Sequence, residues 1–284
     1  MIAIRPHTLP AAAAPVIAAW SIAYQAGGFS FAPALAALSC ALLLQITSNL
    51  VNDVMDFKKG ADSSQRQGFQ RVTQSGLLTP RQMWTGIVFV ILLTAASGFY
   101  LIWLRGIWAL LIGALAILFA VVYTAGPFSL AYHGLGDLFV MVFFGFAGLC
   151  GTVYAILGYV PVVSWLYAFN IGALITAILV VNNVRDMESD RAAGRKNIPV
   201  VFGLEAAYWE YRLLVGLPYL TLIPVGISSG KPFLTLPWLT LPLAVRLIGD
   251  LTREKGTGLN PVLGKTAQLA LFYSLLLAVG IILD

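Results

Sequence analysis

Residues 31–62 are FAPALAALSCALLLQITSNLVNDVMDFKKGAD, an almost wholly apolar run that changes into a strongly polar end. The apolar part extends from Phe31 to Ile46 and is followed by Asn49, Asn52 and three carboxylates. A helix of roughly 20 apolar residues is long enough to cross the hydrocarbon core of a membrane. The stretch therefore predicts a membrane-spanning helix that carries polar side chains to the membrane surface.

The whole chain has the composition of an integral membrane protein. Of its 284 residues, 59% are hydrophobic and 10% are charged, and the mean hydropathy is +0.86. Such a chain is too apolar for a soluble domain. We predict an all-α membrane protein, a single domain over residues 1–284, with nine transmembrane helices around a central cavity with a cytoplasmic cap. The predicted spans lie near residues 9–27, 31–52, 84–104, 107–125, 135–157, 162–183, 211–228, 232–249 and 262–283.

Basic residues predict the orientation of these spans. With nine spans, the N-terminus and the even-numbered connections share one side, whereas the other side carries only Arg105 and Lys231. Lysine and arginine are enriched in cytoplasmic loops, so the N-terminus and these connections are predicted to be cytoplasmic. Every acidic residue except Asp284 lies on that side as well, which predicts the chemistry there. The net charge of +5 includes no long basic run of the kind that binds nucleic acid.

Two similar polar motifs end the second and sixth predicted spans, NDVMD at residues 52–56 and NNVRDMESD at residues 182–190. On a helix, Asn182, Asp186 and Asp190 would share one face, because residues four apart are neighbours. Four spans separate the copies, so both are predicted to emerge on the same side. The duplication suggests an internal parallel repeat, in which spans 1–4 and 5–8 correspond, with a site between the halves.

The residue types in these motifs suit a metal-bound diphosphate. Clustered carboxylates repel one another unless a cation lies between them, and all-oxygen ligands favour Mg²⁺. Basic residues follow each motif and could bind phosphate oxygens. They are Lys58, Lys59, Arg66 and Arg71 after the first copy, and Arg191, Arg195 and Lys196 after the second. We assign all of these except Arg195 to the diphosphate.

Two other interpretations account for the same residues. Asparagine, aspartate and lysine at a single helix end are often solvated caps and topogenic charge, although the duplication of the motif makes this less attractive. A cation-coupled transporter also has repeats and intramembrane polar groups. A transporter should place carboxylates deep within several spans, whereas nearly all of them here lie at one face. The pattern therefore favours a diphosphate-dependent enzyme.

The paired motifs on a nine-helix chain resemble the UbiA superfamily of intramembrane prenyltransferases. Within that superfamily, six stretches in the expected order are similar to the 1,4-dihydroxy-2-naphthoate polyprenyltransferases of menaquinone biosynthesis. They are RPHTLPAAAAPV (5–16), NDVMDFKKGAD (52–62), QSGLLTPRQM (74–83), YTAGPFSLAYHGLGD (123–137), NNVRDMESDRAAGR (182–195) and LNPVLGKTA (259–267). The resemblance covers nearly the whole chain.

This resemblance implies the roles of individual residues. The side chains that would hold Mg²⁺ and the prenyl diphosphate are Asn52, Asp56, Asp186 and Asp190. Asp62 joins the expected metal set, although many members carry an aspartate at the position of Gly60. Tyr123 is expected beside the diphosphate. A lysine often follows that tyrosine by four residues, but Pro127 stands here, so another cation such as Lys58 or Lys196 must supply the charge.

The resemblance also implies the reaction. A polyprenyl chain would pass from its diphosphate to 1,4-dihydroxy-2-naphthoate, with loss of CO₂, giving demethylmenaquinone in a bacterial inner membrane. Asn49 and Arg5 are expected to bind the acceptor, although Arg5 could instead anchor the chain at the membrane interface. Another aromatic acceptor such as 4-hydroxybenzoate, or a phytyl donor, is the alternative within the class.

Overall fold

The structure, a computed structural model, describes residues 2–58, 71–123 and 133–284, and its regular elements in these ranges are all helical. Two short 3₁₀ turns, Ile2–Ile4 and Pro6–Thr8, precede the first long helix. The helices are α1 (Leu9–Gln25), α2 (Phe31–Lys58), α3 (Pro80–Arg105), α4 (Ile107–Val122), α5 (Gly136–Leu157), α6 (Val163–Arg185), α7 (Met187–Ala192), α8 (Ile198–Phe202), α9 (Leu204–Ser229), α10 (Pro232–Arg253) and α11 (Leu259–Leu283).

The all-helical membrane class predicted from the sequence is confirmed. Seven helices, α2, α3, α5, α6, α9, α10 and α11, are long and apolar enough to cross a membrane. The other two predicted spans coincide with α1 and α4, which are shorter, with 17 and 16 residues. Pro10 and Pro15 lie within α1, the first at a position where a helix needs no backbone donor.

The main hydrophobic core joins α1, α5, α6, α9, α10 and α11, and within it α6 packs against α1, α5, α9 and α11. Two glycines allow α5 and α6 to approach closely, since a Cβ on Gly145 would lie 2.6 Å from the Ala168 carbonyl oxygen and 2.9 Å from the Gly172 Cα. Small residues permit such close helix contacts in membranes. This contact places the start of α5 beside the end of α6.

The helices on the other side of the molecule are less buried. α3 packs against α2, but few of its residues are buried, and α4 has no buried residues. A ten-residue π-helical segment, Met141–Cys150, interrupts α5 on the side that faces this group. π-helical turns occur frequently at functional sites. Helices α1 to α5 enclose a cavity.

Candidate active site

Two cavities meet at the end of α2. The apolar cavity has a volume of about 520 Å³ and lies between α1, α2, α3, α4 and α5. The polar chamber has a volume of about 120 Å³, and both Asn52 and Tyr123 line it as well as the apolar cavity. The polar side chains around the chamber are Arg5, Asn52, Asp56, Arg71, Tyr123, Asp137, Asn182, Asn183, Asp186, Asp190, Arg195 and Asn197.

The first motif contributes a buried ion pair to the chamber. Asp56 is only 2% exposed, and its Oδ2 accepts a hydrogen bond from Arg71 Nη2 at 2.7 Å. Its Oδ1 accepts a second hydrogen bond from Arg195. Because buried carboxylates are unfavourable without compensating donors, these two guanidinium groups stabilise Asp56 in its ionised form.

Asp53 is adjacent to Asn52 but has a different function in the fold. Its two carboxylate oxygens accept hydrogen bonds from the backbone N–H groups of Val72 and Thr73, each at 3.0 Å. Asp53 therefore fixes the segment that carries Arg71 and does not line the chamber. The structure places Asn52, and not Asp53, among the side chains that line the chamber.

The second motif lies at the end of α6. Asp186 accepts two hydrogen bonds from Arg185, from Nε at 2.8 Å and from Nη2 at 2.7 Å. The same guanidinium group donates to Asn182 Oδ1 at 2.6 Å and to Asn260 Oδ1 at 2.8 Å. Arg185 thereby connects the motif to the start of α11 and holds both Asn182 and Asp186 at the chamber.

Arg195 joins the two motifs. Its Nη1 donates to Asp190 Oδ1 at 3.2 Å, while its Nη2 donates to Asp56. Asn197 Nδ2 donates to the second oxygen of Asp190 at 2.7 Å. Burial raises the pKa of the Asp190 carboxyl to about 6, and this rise is opposed by the positive charge of Arg195. Arg195 therefore bridges one carboxylate of each motif, Asp56 and Asp190.

Arg5 reaches the chamber from the N-terminal segment. It is the one non-glycine residue with a positive φ, 52°, in the described parts of the chain. Left-handed backbone costs roughly 1–2 kcal/mol in an L-residue, so neighbouring contacts must hold it. Asn49 Nδ2 donates to the Ile4 carbonyl and to Thr8 Oγ1, both at 2.9 Å. Asn49 also lines the apolar cavity, so the predicted acceptor residue fixes the segment that presents Arg5.

The structure places only some of the basic residues that were predicted to bind the diphosphate at the chamber. Arg71 lines the chamber. Lys58 lies over the Trp84 ring at 5.5 Å from its centroid, and Arg191 pairs with Glu188 at the exposed surface. Lys196 is exposed. These last three side chains are not among those that line the chamber. Lys59, Asp62 and Arg66 lie outside the described residues.

The chamber also contains residues that were not assigned to the site from the sequence, among them Arg195, Asn197 and Asp137. The signal for Arg195 was its position in the DRAAGR turn, where Gly194 takes a positive φ of 72° and reverses the chain toward Asp190. Asn197 caps α8 by accepting from the Val200 N–H, which orients its amide. Asp137 begins α5.

Aromatic rings lie where the polar chamber meets the apolar cavity. Phe119, Phe139 and Phe143 form a cluster, with centroid distances of 5.0 Å, 4.7 Å and 5.8 Å between pairs. All three line the apolar cavity. Phe119 precedes Tyr123 by one helical turn, so the cluster is close to the boundary of the chamber.

The donor set fits the predicted magnesium ion. Within the described ranges, no three Asp, Glu, His or Cys side chains come together in a preformed metal site. Mg²⁺ usually takes one or two carboxylates and completes its coordination with water and substrate phosphates. The oxygens of Asn52, Asp56, Asp186 and Asp190 line one chamber. They are therefore suitable for a magnesium ion that binds together with a diphosphate.

The chain is similar to several known proteins over nearly its whole length. The chain is 35% identical to a 1,4-dihydroxy-2-naphthoate octaprenyltransferase of Escherichia coli over 99% of this chain and 94% of that protein. It is 34% identical to the protein of the same name from Mycobacterium tuberculosis, over 96% of this chain and 93% of the relative.

Solved structures show the same fold. A UbiA homologue from Aeropyrum pernix superposes with a TM-score of 0.70 at 18% identity, covering 100% of this chain and 98% of that one. A UbiA homologue from Archaeoglobus fulgidus, bound to GPP and Mg²⁺, superposes with a TM-score of 0.64 at 20% identity over 99% and 98% of the two chains. The model of the UbiA prenyltransferase family matches residues 12–256. The chain therefore belongs to the UbiA prenyltransferase family.

Proposed function

We propose that this protein transfers a polyprenyl chain from its diphosphate to 1,4-dihydroxy-2-naphthoate, with release of CO₂, to form demethylmenaquinol, the hydroquinone form of demethylmenaquinone. The observation that carries the proposal is the junction of a polar, arginine-lined chamber with an apolar cavity at Asn52 and Tyr123. A prenyl diphosphate has the same division into an anionic head and an apolar tail. The names of the bacterial relatives support the choice of acceptor and donor.

The prenyl diphosphate fits across this junction. Its diphosphate would lie in the polar chamber, where Arg71 and Arg195 offer guanidinium donors, and its tail would extend into the apolar cavity. Along α2 the cavity lining extends from Asn52 to Ala37, a rise of about 22 Å at 1.5 Å per residue. The cavity therefore has room for several isoprene units in an extended arrangement.

The chamber is also suited to departure of the diphosphate. Asn52, Asp56, Asp186 and Asp190 would hold Mg²⁺, which supplies positive charge to the leaving oxygens. Arg71 and Arg195 hold the same group by charge-assisted hydrogen bonds. The faces of the aromatic cluster would stabilise an allylic cation by roughly 0.5–2 kcal/mol each. The apolar walls keep water from the cation.

The acceptor would enter from the side of the chamber formed by the N-terminal segment. A guanidinium group matches a carboxylate as a bidentate donor, so Arg5 can orient the naphthoate carboxyl group. Asn49 supports this role through its hydrogen bonds to Ile4 and Thr8. The ring carbon that bears the carboxyl group would then be directed toward the prenyl cation.

The proposal includes a membrane arrangement. We place α1 and α4 across the bilayer together with the seven longer apolar helices, giving nine spans in a bacterial inner membrane. The positive-inside rule puts the chamber on the cytoplasmic side, where the segment that carries Arg71 and the polar connection after α6 would cap it. The chamber would then receive a polar acceptor from the cytoplasm and an apolar donor from the lipid.

One labelling experiment tests the reaction. Purified protein in detergent is given Mg²⁺, a prenyl diphosphate and dihydroxynaphthoate labelled at the carboxyl carbon. We expect a prenylated product without the label and an equal amount of labelled CO₂. A product that retains the label, or prenylation of 4-hydroxybenzoate alone, would contradict the proposed acceptor. Full turnover in the presence of EDTA would contradict the role of the metal.

A further inference from the structure

Asp137 is a carboxylate of the polar chamber that the proposed steps do not yet use. It lies in the first turn of α5, and its Oδ1 is shielded from solvent without a hydrogen-bond partner in the part of the chain that the structure describes. Buried polar atoms in proteins are nearly always hydrogen-bonded, so an exception requires an explanation. One explanation is a ligand that supplies the missing donor.

The other carboxylates of the chamber already have such donors. Asp56 pairs with Arg71 and Arg195, Asp186 with Arg185, and Asp190 with Arg195. These guanidinium groups offset the charge of the two motifs. Among the chamber carboxylates, Asp137 therefore has a buried oxygen that a ligand could supply with a hydrogen-bond donor. An anionic diphosphate has no such donor, whereas the acceptor has hydroxyl groups.

The position of Asp137 is close to the reacting groups. The hydroxyl oxygen of Tyr123, which lines both cavities, would be 3.3 Å from a Cβ placed on Gly136, so the start of α5 touches the boundary residue. Two residues beyond Asp137, Phe139 belongs to the aromatic cluster in the apolar cavity. Asp137 thus lies where the head of a prenyl diphosphate would meet its first isoprene unit.

We infer that Asp137 is a catalytic residue, which accepts the proton of the acceptor hydroxyl next to the carboxyl-bearing carbon. This inference rests on the proposed function. Arg5 lines the same chamber, and by pairing with the acceptor carboxylate it would free the adjacent hydroxyl from an internal hydrogen bond. The acceptor would then be held at two points, its carboxylate by Arg5 and its hydroxyl by Asp137.

The bonds change as follows. The hydroxyl proton moves to Asp137 while the carboxyl-bearing carbon forms a bond to the first prenyl carbon, whose C–O bonding pair leaves with the diphosphate. The ring oxygen becomes a ketone, so the intermediate is a β-keto carboxylate. Its carboxylate leaves as CO₂, and the bonding pair returns to the ring as an enolate. Asp137 then returns the proton to that oxygen and is regenerated.

Kinetics of Asp137→Asn, which keeps the shape of the side chain, test this role. General-base catalysis typically contributes 10²–10⁴-fold, so we expect kcat with dihydroxynaphthoate to fall at least about 100-fold. The KM for the prenyl diphosphate and the Mg²⁺ concentration at half-maximal rate should change less than about threefold. Asp250→Asn is the matched control, because Asp250 pairs with Arg246 far along α10 and does not line the chamber.

A second variant excludes a folding defect. In Asp137→Gly, added formate should restore at least a tenth of the lost rate, because a small carboxylate can occupy the vacated space and accept the proton; a misfolded protein cannot gain activity in this way. Absence of rescue, activity of Asp137→Asn within threefold of the parent, or a raised Mg²⁺ requirement would each overturn the inference. If the parent protein itself fails to release CO₂ from dihydroxynaphthoate, the proposed function fails instead.

Discussion

Arg195 is the residue that connects the two halves of the site. Its side chain is 18% exposed and bridges Asp56 and Asp190, which are 3% and 7% exposed. Removing one partner of a buried ion pair leaves uncompensated charge and typically costs 3–5 kcal/mol. A guanidinium group that also holds the leaving diphosphate should contribute a further loss of turnover of about 10²–10³-fold.

We therefore expect Arg195→Ala to lower both stability and kcat strongly. Arg191→Ala is the matched control, since Arg191 is four residues earlier and pairs with Glu188 at the exposed surface, where such pairs contribute at most about 1 kcal/mol. Denaturation in detergent and steady-state assays of both variants make the comparison. Similar, small effects for the two arginines would show that Arg195 does not join the motifs.

Asp190 should make magnesium binding depend on pH. Burial raises the pKa of its carboxyl from 3.8 to about 6, and a metal binds only the deprotonated form. Below pH 6 the Mg²⁺ concentration needed for half-maximal binding of prenyl diphosphate should rise by up to about tenfold per pH unit, and above pH 7 it should level off. In Asp190→Asn, any remaining pH dependence comes from titration of the diphosphate itself. Identical pH profiles for the parent protein and Asp190→Asn would therefore refute the role of Asp190.

Arg5 has two possible roles that kinetics can separate. If it orients the acceptor carboxylate, Arg5→Ala should raise the KM for dihydroxynaphthoate about tenfold or more with little change for the prenyl diphosphate. Arg5→Lys should restore only part of this, because lysine lacks the planar fork of donors. If Arg5 only anchors the chain at the interface, Arg5→Lys should behave as the parent protein.

The sequence predicted which residue types form the site better than it predicted which of the basic residues reach it. Carboxylates in a duplicated motif indicated a site, and Asn52, Asp56, Asp186 and Asp190 do share the chamber. Among the basic residues of 191–196, however, side-chain direction depends on where α7 ends. Because the helix ends at Ala192 and Gly194 reverses the backbone, Arg195 returns to the chamber while Arg191 and Lys196 remain exposed.

At the scale of elements, apolar runs predicted where helices lie but not where they begin. The predicted span from residue 84 belongs to a helix that begins at Pro80, where Thr79 and Gln82 form a capping box. The span predicted from residue 211 belongs to a helix that begins at Leu204. A hydropathy pattern does not reveal polar first turns, because it detects only the apolar part of a helix that suits the lipid. Capping residues carry the missing information.

The contact between α5 and α6 should control both stability and the site. A Cβ on Gly145 would lie 2.6 Å from the Ala168 carbonyl oxygen, so Gly145→Ala must separate the two helices. We expect a loss of about 1–3 kcal/mol, seen as a lower Tm in detergent, and a lower kcat because Asp137 shifts with α5. Gly216→Ala in α9 is the control, since its Cβ would meet nothing within 4 Å and alanine favours a helix by up to about 1 kcal/mol. Equal Tm changes in the two variants would contradict this account.

At the scale of the whole molecule, the helices fall into a well-buried group and a more exposed one. The main core joins α6 to α1, α5, α9, α10 and α11, which fixes the start of α5 and the end of α6 at the chamber. The more exposed helices α3 and α4 help to enclose the apolar cavity with few buried side chains of their own. The groups that line the chamber are thus held by the well-buried core, whereas the apolar cavity is enclosed in part by the more exposed helices. No periodicity in the sequence distinguishes these groups, since lipid-facing and cavity-facing side chains are both apolar.

This division predicts that the cavity wall, and not the chamber, sets the length of prenyl chain that the protein accepts. Gly113 on α4 lines the cavity, and a Cβ there would meet nothing within 4 Å, so a larger side chain would project into the open space. It lies ten residues from Tyr123, about 15 Å along the helix, which is beyond the first isoprene units. We expect Gly113→Phe to leave kcat/KM for a short prenyl diphosphate within about threefold of the parent value and to lower it at least about tenfold for an octaprenyl diphosphate. Gly86→Phe on α3 is the matched control, because Gly86 also has open space around it but does not line the cavity. Equal losses for short and long donors in Gly113→Phe would show that the tail does not lie along this wall.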